Sequence, residues 1–516
     1  MKKSHSTTLI LSLLIYFLLS FENGIYAQSG DLDPSFGTGG KVLTDLGSDF
    51  EAGRAVAIQE DGKIVVAGYT GEFPAEDFAV VRYNPDGSLD ASFGTGGIVI
   101  TDILGRNSEG YGMTLQNDGK IIVVGASDDA SEANTALVRY NSNGTTDNTF
   151  DDDGIVITDL FNTEDFGYAV VVQDDNKILV GGFAIAAASE DFALIRYNED
   201  GTLDNTFGSD GIVTTDFDGF YNIANCMLIQ DDGKIVLAGF TTNGLDEDFA
   251  IARYNSNGSL DNSFDGDGKV TTDFDASEEN INSIALQSSG KLIVGGYSFI
   301  NAPLLEDFII ARYNINGSLD NTFGSEGFIT TDFNSLFDKV STVLVQSDDK
   351  IIAAGYANNG TENDIALTRY NSDGTLDDSF GDAGKVITDI DGRDDRGNSA
   401  VLQSDNKIVV SGRSVEGSNT DIAVCRYLND IEIEIAENIL TKPDLHISPN
   451  PFSTILNISA TNSGSIDLYD NVGNKVMMVN ISGYGNIINT NNIPAGIYLL
   501  RYFDGTSYEH HRLVKY

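Results

Sequence analysis

Two stretches decide the fold of this chain: Ala55–Tyr69, AVAIQEDGKIVVAGY, and Asp77–Asp102, DFAVVRYNPDGSLDASFGTGGIVITD. Together they hold four short runs rich in β-branched residues: Arg54–Gln59, Lys63–Tyr69, Phe78–Asn84 and Gly97–Asp102. Glu60-Asp61-Gly62 joins the first two as a glycine-containing hairpin turn. No helical period runs through the unit. The unit recurs, and its Arg-Tyr pair marks the phase. The arginines are Arg82, Arg139, Arg196, Arg253, Arg312, Arg369 and Arg426, separated by 57, 57, 57, 59, 57 and 57 residues. A fixed period of this kind is the signature of a repeat architecture.

Four antiparallel strands repeated radially make a β-propeller. A linear solenoid fits less well, because its coils are shorter and it needs terminal caps that are not evident. The repeat starts mid-unit with Leu32–Asp45 (LDPSFGTGGKVLTD) and stops mid-unit at Arg426-Tyr427. A lone fourth strand at the start and a missing fourth strand at the end predict ring closure. Lys41–Asp45 is expected to pair with Ile422–Tyr427, leaving no open edge. The predicted fold is all-β: a seven-bladed propeller of four-stranded blades over residues 28–427, its last blade closed by the N-terminal strand, plus a small C-terminal β-sandwich.

The submotifs LDPSFGTGGKV, DGKIVVAGY and DFAVVRYNPDGSLD recur in order from Leu32 to Tyr427. In this they resemble the delta-60 repeat, a bacterial β-propeller repeat without a settled biochemical role. Departures are local: Asn134-Thr135 stands where Asp77-Phe78 would be expected, and Thr145-Thr146 where Ser88-Leu89 would. Residues 428–444 read as a linker. Beyond it come Pro449-Asn450-Pro451-Phe452, the hairpin Ser465–Val479, the run Ile493–Tyr498 (IPAGIY) and a terminal basic strand. Residues 445–516 thereby resemble the type A sorting domain of the type IX secretion system. The resemblance implies a partner, the type IX machinery, and an address, the medium or the outer-membrane cell surface.

The N-terminus fits that address. Lys2 and Lys3 precede an apolar stretch from Leu9 to Phe21, and Gly24–Ala27 offers a cleavage site. Residues 1–27 therefore read as a secretory signal peptide, not a membrane anchor, since the apolar run is short and no basic flank follows it. No segment of the mature chain is long and apolar enough to span a bilayer. The formal charge of −48 argues against nucleic acid and anionic membranes as partners and favours solubility outside the cell. Cys226 and Cys425 fall at different positions of different repeats and read as unpaired, small apolar residues.

Chemistry is constrained by what the repeats lack. The chain's only histidines, His5, His446, His510 and His511, lie outside the propeller, so it has none for a Ser–His–Asp triad or a His-ligated metal. Tryptophan is absent, leaving tyrosines such as Tyr111, Tyr168 and Tyr221 as stacking platforms. The recurring arginine is expected to be structural, paired with a strand carboxylate of the Asp102, Asp159 or Asp77 type. Asp151, Asp153, Asp265 and Asp267 offer oxygen ligands of the kind Ca²⁺ prefers, but glycines occupy the equivalent places in other units. Solvated turns explain them more simply, and no other cofactor is implied. No catalytic residue is assigned. An exported, noncatalytic module for binding a protein or glycan or for structural display, at the cell surface or in the medium, is the favoured function, with a carboxylate-dependent glycoside hydrolase or lyase at the central mouth as the alternative.

Overall fold

A computed structural model describes residues 28–429 and 445–516, apart from residues 73, 129–131, 187–188, 219, 243, 245, 275–277, 302–304, 334–335, 461, 471–473, 483–484 and 505–507. The signal peptide at 1–27 and all but the first two residues of the 428–444 linker lie outside the described residues. The chain divides into two compact units, Met1–Ile431 and Glu432–Tyr516. No described helix is long and apolar enough to cross a membrane.

The first unit holds seven four-stranded antiparallel sheets. In blade 1 the strands are Phe50–Ile58, Ile64–Glu72, Ala75–Tyr83 and Ile98–Thr101, hydrogen-bonded in that order. The first strand begins four residues before Arg54, where the sequence reading started it, because Gly53 and Glu51 interrupt the apolar pattern that marks a strand. Blades 2 to 6 repeat the order and end at Thr158, Thr215, Thr272, Thr331 and Thr388. Blade 7 comprises Asp394–Leu402, Ile408–Glu416 and Asn419–Tyr427, and its fourth strand is Lys41–Thr44 from the N-terminus. Lys41 pairs with Cys425 and Thr44 with Ile422, antiparallel, so the expected closure is present.

The second and third strands of each blade are buried on both faces, which is why they read as continuous apolar runs. The apolar side chains form a cluster at each blade junction. At the closure, Ile64, Val66, Val81 and Tyr83 of blade 1 pack with Val409, Ile422 and Val424 of blade 7.

The Arg-Tyr pair connects three blades. Arg82 Nε donates to Asp90 Oδ2 at 2.8 Å, Nη1 donates to the Ser142 carbonyl of the next blade, and the guanidinium lies 4.5 Å from the Phe93 ring centroid. The neighbouring Tyr83 hydroxyl sits 2.7 Å from Thr44 Oγ1 of the preceding blade. The pattern recurs around the ring, except that in blade 6 Arg369 Nη1 donates to Asn429 Oδ1, a side-chain oxygen. Arg139, Arg196, Arg253, Arg312, Arg369 and Arg426 reach Asp147, Asp204, Asp261, Asp320, Asp377 and Asp33. The partner carboxylate is thus the Asp of the Leu-Asp turn after the third strand. It is not of the Asp102, Asp159 or Asp77 type, because Asp77 lies at the opposite end of the third strand and Asp102 follows the fourth strand at that same end.

The second unit has a three-stranded sheet, His446–Ser448, Ile455–Ser459 and Asn486–Asn489, and a four-stranded sheet ordered Lys475–Ser482, Ser463–Tyr469, Gly496–Phe503, Tyr508–Lys515. Leu456 and Ile458 from one sheet and Ile466, Leu468, Leu500 and Leu513 from the other share one core, which makes the unit a small β-sandwich.

Candidate functional site

Each first strand of the propeller carries a one-residue β-bulge. The extra residues are Arg54, Tyr111, Tyr168, Asn225, Asn282, Ser341 and Asn398, one per blade. All seven line a single central channel of about 770 Å³. A glycine on the second strand faces each bulge. At Gly68, Gly125, Gly182, Gly239, Gly296, Gly355 and Gly412, a Cβ would overlap a first-strand carbonyl oxygen. The glycine repeated in every unit is therefore a demand of the bulge, which re-aims a side chain into the channel.

The ring of bulge residues is uneven. Three asparagines are spent on the scaffold: Asn225 donates to Ile281 O at 2.9 Å, Asn282 to Val340 O at 2.7 Å and Asn398 to Gly53 O at 2.9 Å. Each acceptor immediately precedes the next blade's bulge residue. Arg54, Tyr111 and Tyr168, in blades 1 to 3, are not tied down in this way. Tyr111 and Tyr168 have ring centroids 5.2 Å apart, and Phe166 stacks on Phe183 at 5.2 Å. Burial pushes the Tyr168 phenol up to about 12 and the Tyr111 phenol higher, so both stay neutral, and Tyr111 Oη donates to Glu109 Oε2 at 3.2 Å.

The channel concentrates positive charge in an acidic chain. Arg54, Lys339, Arg396 and Arg413 all line it, whereas its described lining residues include no Asp or Glu. Arg396 and Arg413 are direct cross-strand partners, an arrangement that costs stability because like charges face each other. Arg396 Nε has Asp394 at 3.1 Å, and Lys339 Nζ has Glu306 at 2.9 Å and stands 3.8 Å from the Tyr297 ring centroid. Arg54 and Arg413 form no ion pair among the described residues, and the Nε of each is buried without a hydrogen bond. Burial, then the charge of Arg396, pulls the Arg413 guanidinium below its ordinary value. Sequence reading singled out Tyr111 and Tyr168 but missed the four cations. They come from blades 1, 6 and 7, on first and second strands, and form no motif.

The other residues singled out in the sequence lie elsewhere. Asp151 and Asp265 adopt left-handed φ of 45° and 49° where Gly94 has 50°, and Asp153 and Asp267 accept from Ile155 N and Lys269 N at 2.9 Å. These aspartates shape turns, and among the described residues they do not converge with a third carboxylate. Tyr221 is exposed and away from the channel. Cys425 is buried and Cys226 half-buried at the channel wall, and both are free.

A family model described as a domain of unknown function (DUF5122) beta-propeller matches residues 59–93, 116–150, 173–207, 230–264, 287–323, 346–380 and 403–430. A second, described as a secretion system C-terminal sorting domain, matches 446–516. No curated protein matches the sequence. Among solved structures, PorZ, a surface component of the type IX secretion system of Porphyromonas gingivalis, is similar at 11% identity and a TM-score of 0.36, over 89% of this chain and 59% of PorZ. The chain thus spans less than two thirds of PorZ. The polysaccharide lyase Uly1 is similar at 12% identity and 0.43, over 79% of this chain and 94% of Uly1. A Fusarium graminearum α-L-arabinofuranosidase is similar at 9% and 0.39, over 61% and 91%. The sorting domain directs the protein to type IX export, to the cell surface or the medium. The chain is a seven-repeat β-propeller of the DUF5122 family that ends in a type IX secretion sorting domain.

Proposed function

We propose that the exported propeller is a noncatalytic binding module whose channel captures an acidic glycan, one bearing carboxylate or sulfate groups. The observation that carries this reading is the facing pair Arg396–Arg413, with Arg54 nearby, in a chain of formal charge −48. Nothing in the fold needs that repulsion, and an anion bound bidentately by guanidinium would relieve it. Tyr111 and Tyr168, which line the same channel, supply flat apolar faces for sugar rings, and the neutral Tyr168 phenol supplies a donor for hydroxyls. The hydrolase or lyase reading draws less support, because a carboxylate-dependent reaction needs acids where the described channel lining has none.

The test is calorimetric titration of the mature protein with polygalacturonate, a sulfated glycan and a neutral glucan. An acidic polymer should bind with an affinity that falls as salt rises, and Arg413→Gln or Arg54→Gln should weaken it at least tenfold. Equal binding of the neutral glucan, or undiminished binding by both variants, would overturn the proposal. Shortening of any polymer during the titration would favour the enzyme.

A further inference from the structure

Three chain segments meet at each blade junction: the start of a third strand, the end of the fourth strand, and the start of the next blade's first strand. Four junctions place acids on all three. Asp364, Asp389 and Asp395 each bring a carboxylate oxygen within 4.8 Å of the others. So do Asp307, Asp332 and Asp338; Asp248, Asp273 and Glu279; and Asp45, Glu51 and Asp421. The remaining junctions carry Ser108, Asn134 or Asn222 at one of the three places.

Two of those neutral residues serve as internal controls. Ser108 Oγ donates to Ser127 Oγ at 2.9 Å, and Asn222 Nδ2 donates to Glu190 O at 2.9 Å while its Oδ1 accepts from Thr241. At these two positions protein groups satisfy the side chain without an acid, whereas Asn134, at the third, leaves its Oδ1 without a hydrogen bond. The acids are not satisfied in the same way. Asp364 is 4% exposed, and its Oδ2 accepts from Asn359 while its Oδ1 has no hydrogen bond. Asp338 and Asp395 are fully buried. Each accepts one backbone N–H on Oδ2, from Phe333 and Ile390, and leaves Oδ1 without a hydrogen bond. The Ser414 hydroxyl lies beside Asp395 and favours its carboxylate, but it does not meet full hydrogen-bonding geometry. Unpartnered buried oxygens of this kind are costly.

We propose that these junctions are divalent-cation sites, calcium by ligand type, and that Asp364–Asp389–Asp395 and Asp307–Asp332–Asp338 are the strongest. Calcium takes six to eight oxygens at about 2.3–2.6 Å, so two ligands across one ion stand up to about 5 Å apart. The 4.8 Å spread fits that span. Exposed Asp389 gives the ion a path from solvent. At the closure Arg393 already stands 3.0 Å from Asp421, and Glu51 accepts from the Leu46 and Ser48 amides, so that junction is compensated from within. An ion at a junction would tie adjacent blades together.

The experiment is Ca²⁺ titration of the mature, chelator-stripped protein by calorimetry, with thermal unfolding in parallel. Ca²⁺ should bind with Kd of about 10⁻⁴–10⁻³ M, the range of extracellular modules, and raise Tm. Asp395→Asn and Asp338→Asn should each lose one bound ion and part of the Tm rise. In chelator both should unfold no earlier than the parent, because each removes a repelled charge. Asp102→Asn, at a junction lacking the third acid, should keep the full stoichiometry. No Ca²⁺ binding, a Tm indifferent to Ca²⁺, or unchanged stoichiometry in both variants would overturn the proposal, as would an equal response to Mg²⁺.

Discussion

Arg426 Nε lies 2.9 Å from Asp33 Oδ2, a contact that spans 393 residues of chain. It is the same pair that each other blade makes over eight residues, as between Arg82 and Asp90. Ring closure therefore reuses the local grammar of the repeat, with the acid supplied from the far end of the chain.

Because the Arg426 and Asp33 side chains are only 6% and 4% exposed, removing the acid strands a buried cation. Asp33→Ala should cost about 3–5 kcal/mol in guanidinium unfolding followed by circular dichroism. Asp90→Ala, which breaks the equivalent pair inside one blade, should cost a comparable amount. A loss below about 1 kcal/mol for Asp33→Ala alone would mean that the N-terminal strand does not hold the ring shut.

Adjacent glycines of blade 3 should behave in opposite ways. A Cβ on Gly182 would overlap the Phe166 carbonyl oxygen, whereas one on Gly181 would meet nothing closer than Leu237 Cγ at 3.5 Å. Gly182→Ala should destabilise by about 3 kcal/mol, because the bulge cannot yield without losing its register. Gly181→Ala should be neutral or stabilising by up to about 1 kcal/mol, through a less flexible unfolded chain. Thermal midpoints of the two variants decide the matter, and equal losses would refute the bulge argument.

Acid should unfold the ring steeply. Asp33, Asp90, Asp147, Asp204, Asp261, Asp320 and Asp377 are all held below the ordinary carboxylate value. In most of them burial pushes upward and is outweighed by bonds from the Ser or Thr two residues on and by the arginine charge; in Asp90 the Ser92 hydroxyl bond is itself the largest effect. A depressed folded pKa contributes stability that is complete above the unfolded value, near 3.8, and is lost as pH falls through the folded value. The propeller should hold its circular dichroism signal to about pH 4 and lose it cooperatively below. Asp90→Asn should make the transition shallower by taking up fewer protons. A transition well above pH 4 would assign acid lability to other groups.

Much of this was legible along the chain. The phase of the repeat at Leu32 and Tyr427 predicted the closing strand, and Lys41 and Thr44 pair as that phase required. The partner of Arg82 was not legible. Asp77, Asp90 and Asp102 are all close to it in sequence, and only the direction of the strand separates the end that holds Asp90 from the end that holds Asp77. The channel was half legible: Tyr111 and Tyr168 stood out as aromatics, but Arg396 and Arg413 meet across two strands of blade 7 and face Arg54 of blade 1 only because the ring closes.

The sequence by itself determined the number of blades, their strand order, the closure and the export address. The first three follow from turn chemistry, β-branched runs and a period that each unit carries locally; the address follows from the resemblance of residues 445–516 to a sorting domain. Only the tertiary structure decided which charges meet. The cations of the channel and the acids of the junctions come from different blades, and their spacing depends on how far each first strand is turned by its bulge and on the angle at which blades pack. No local preference encodes either quantity.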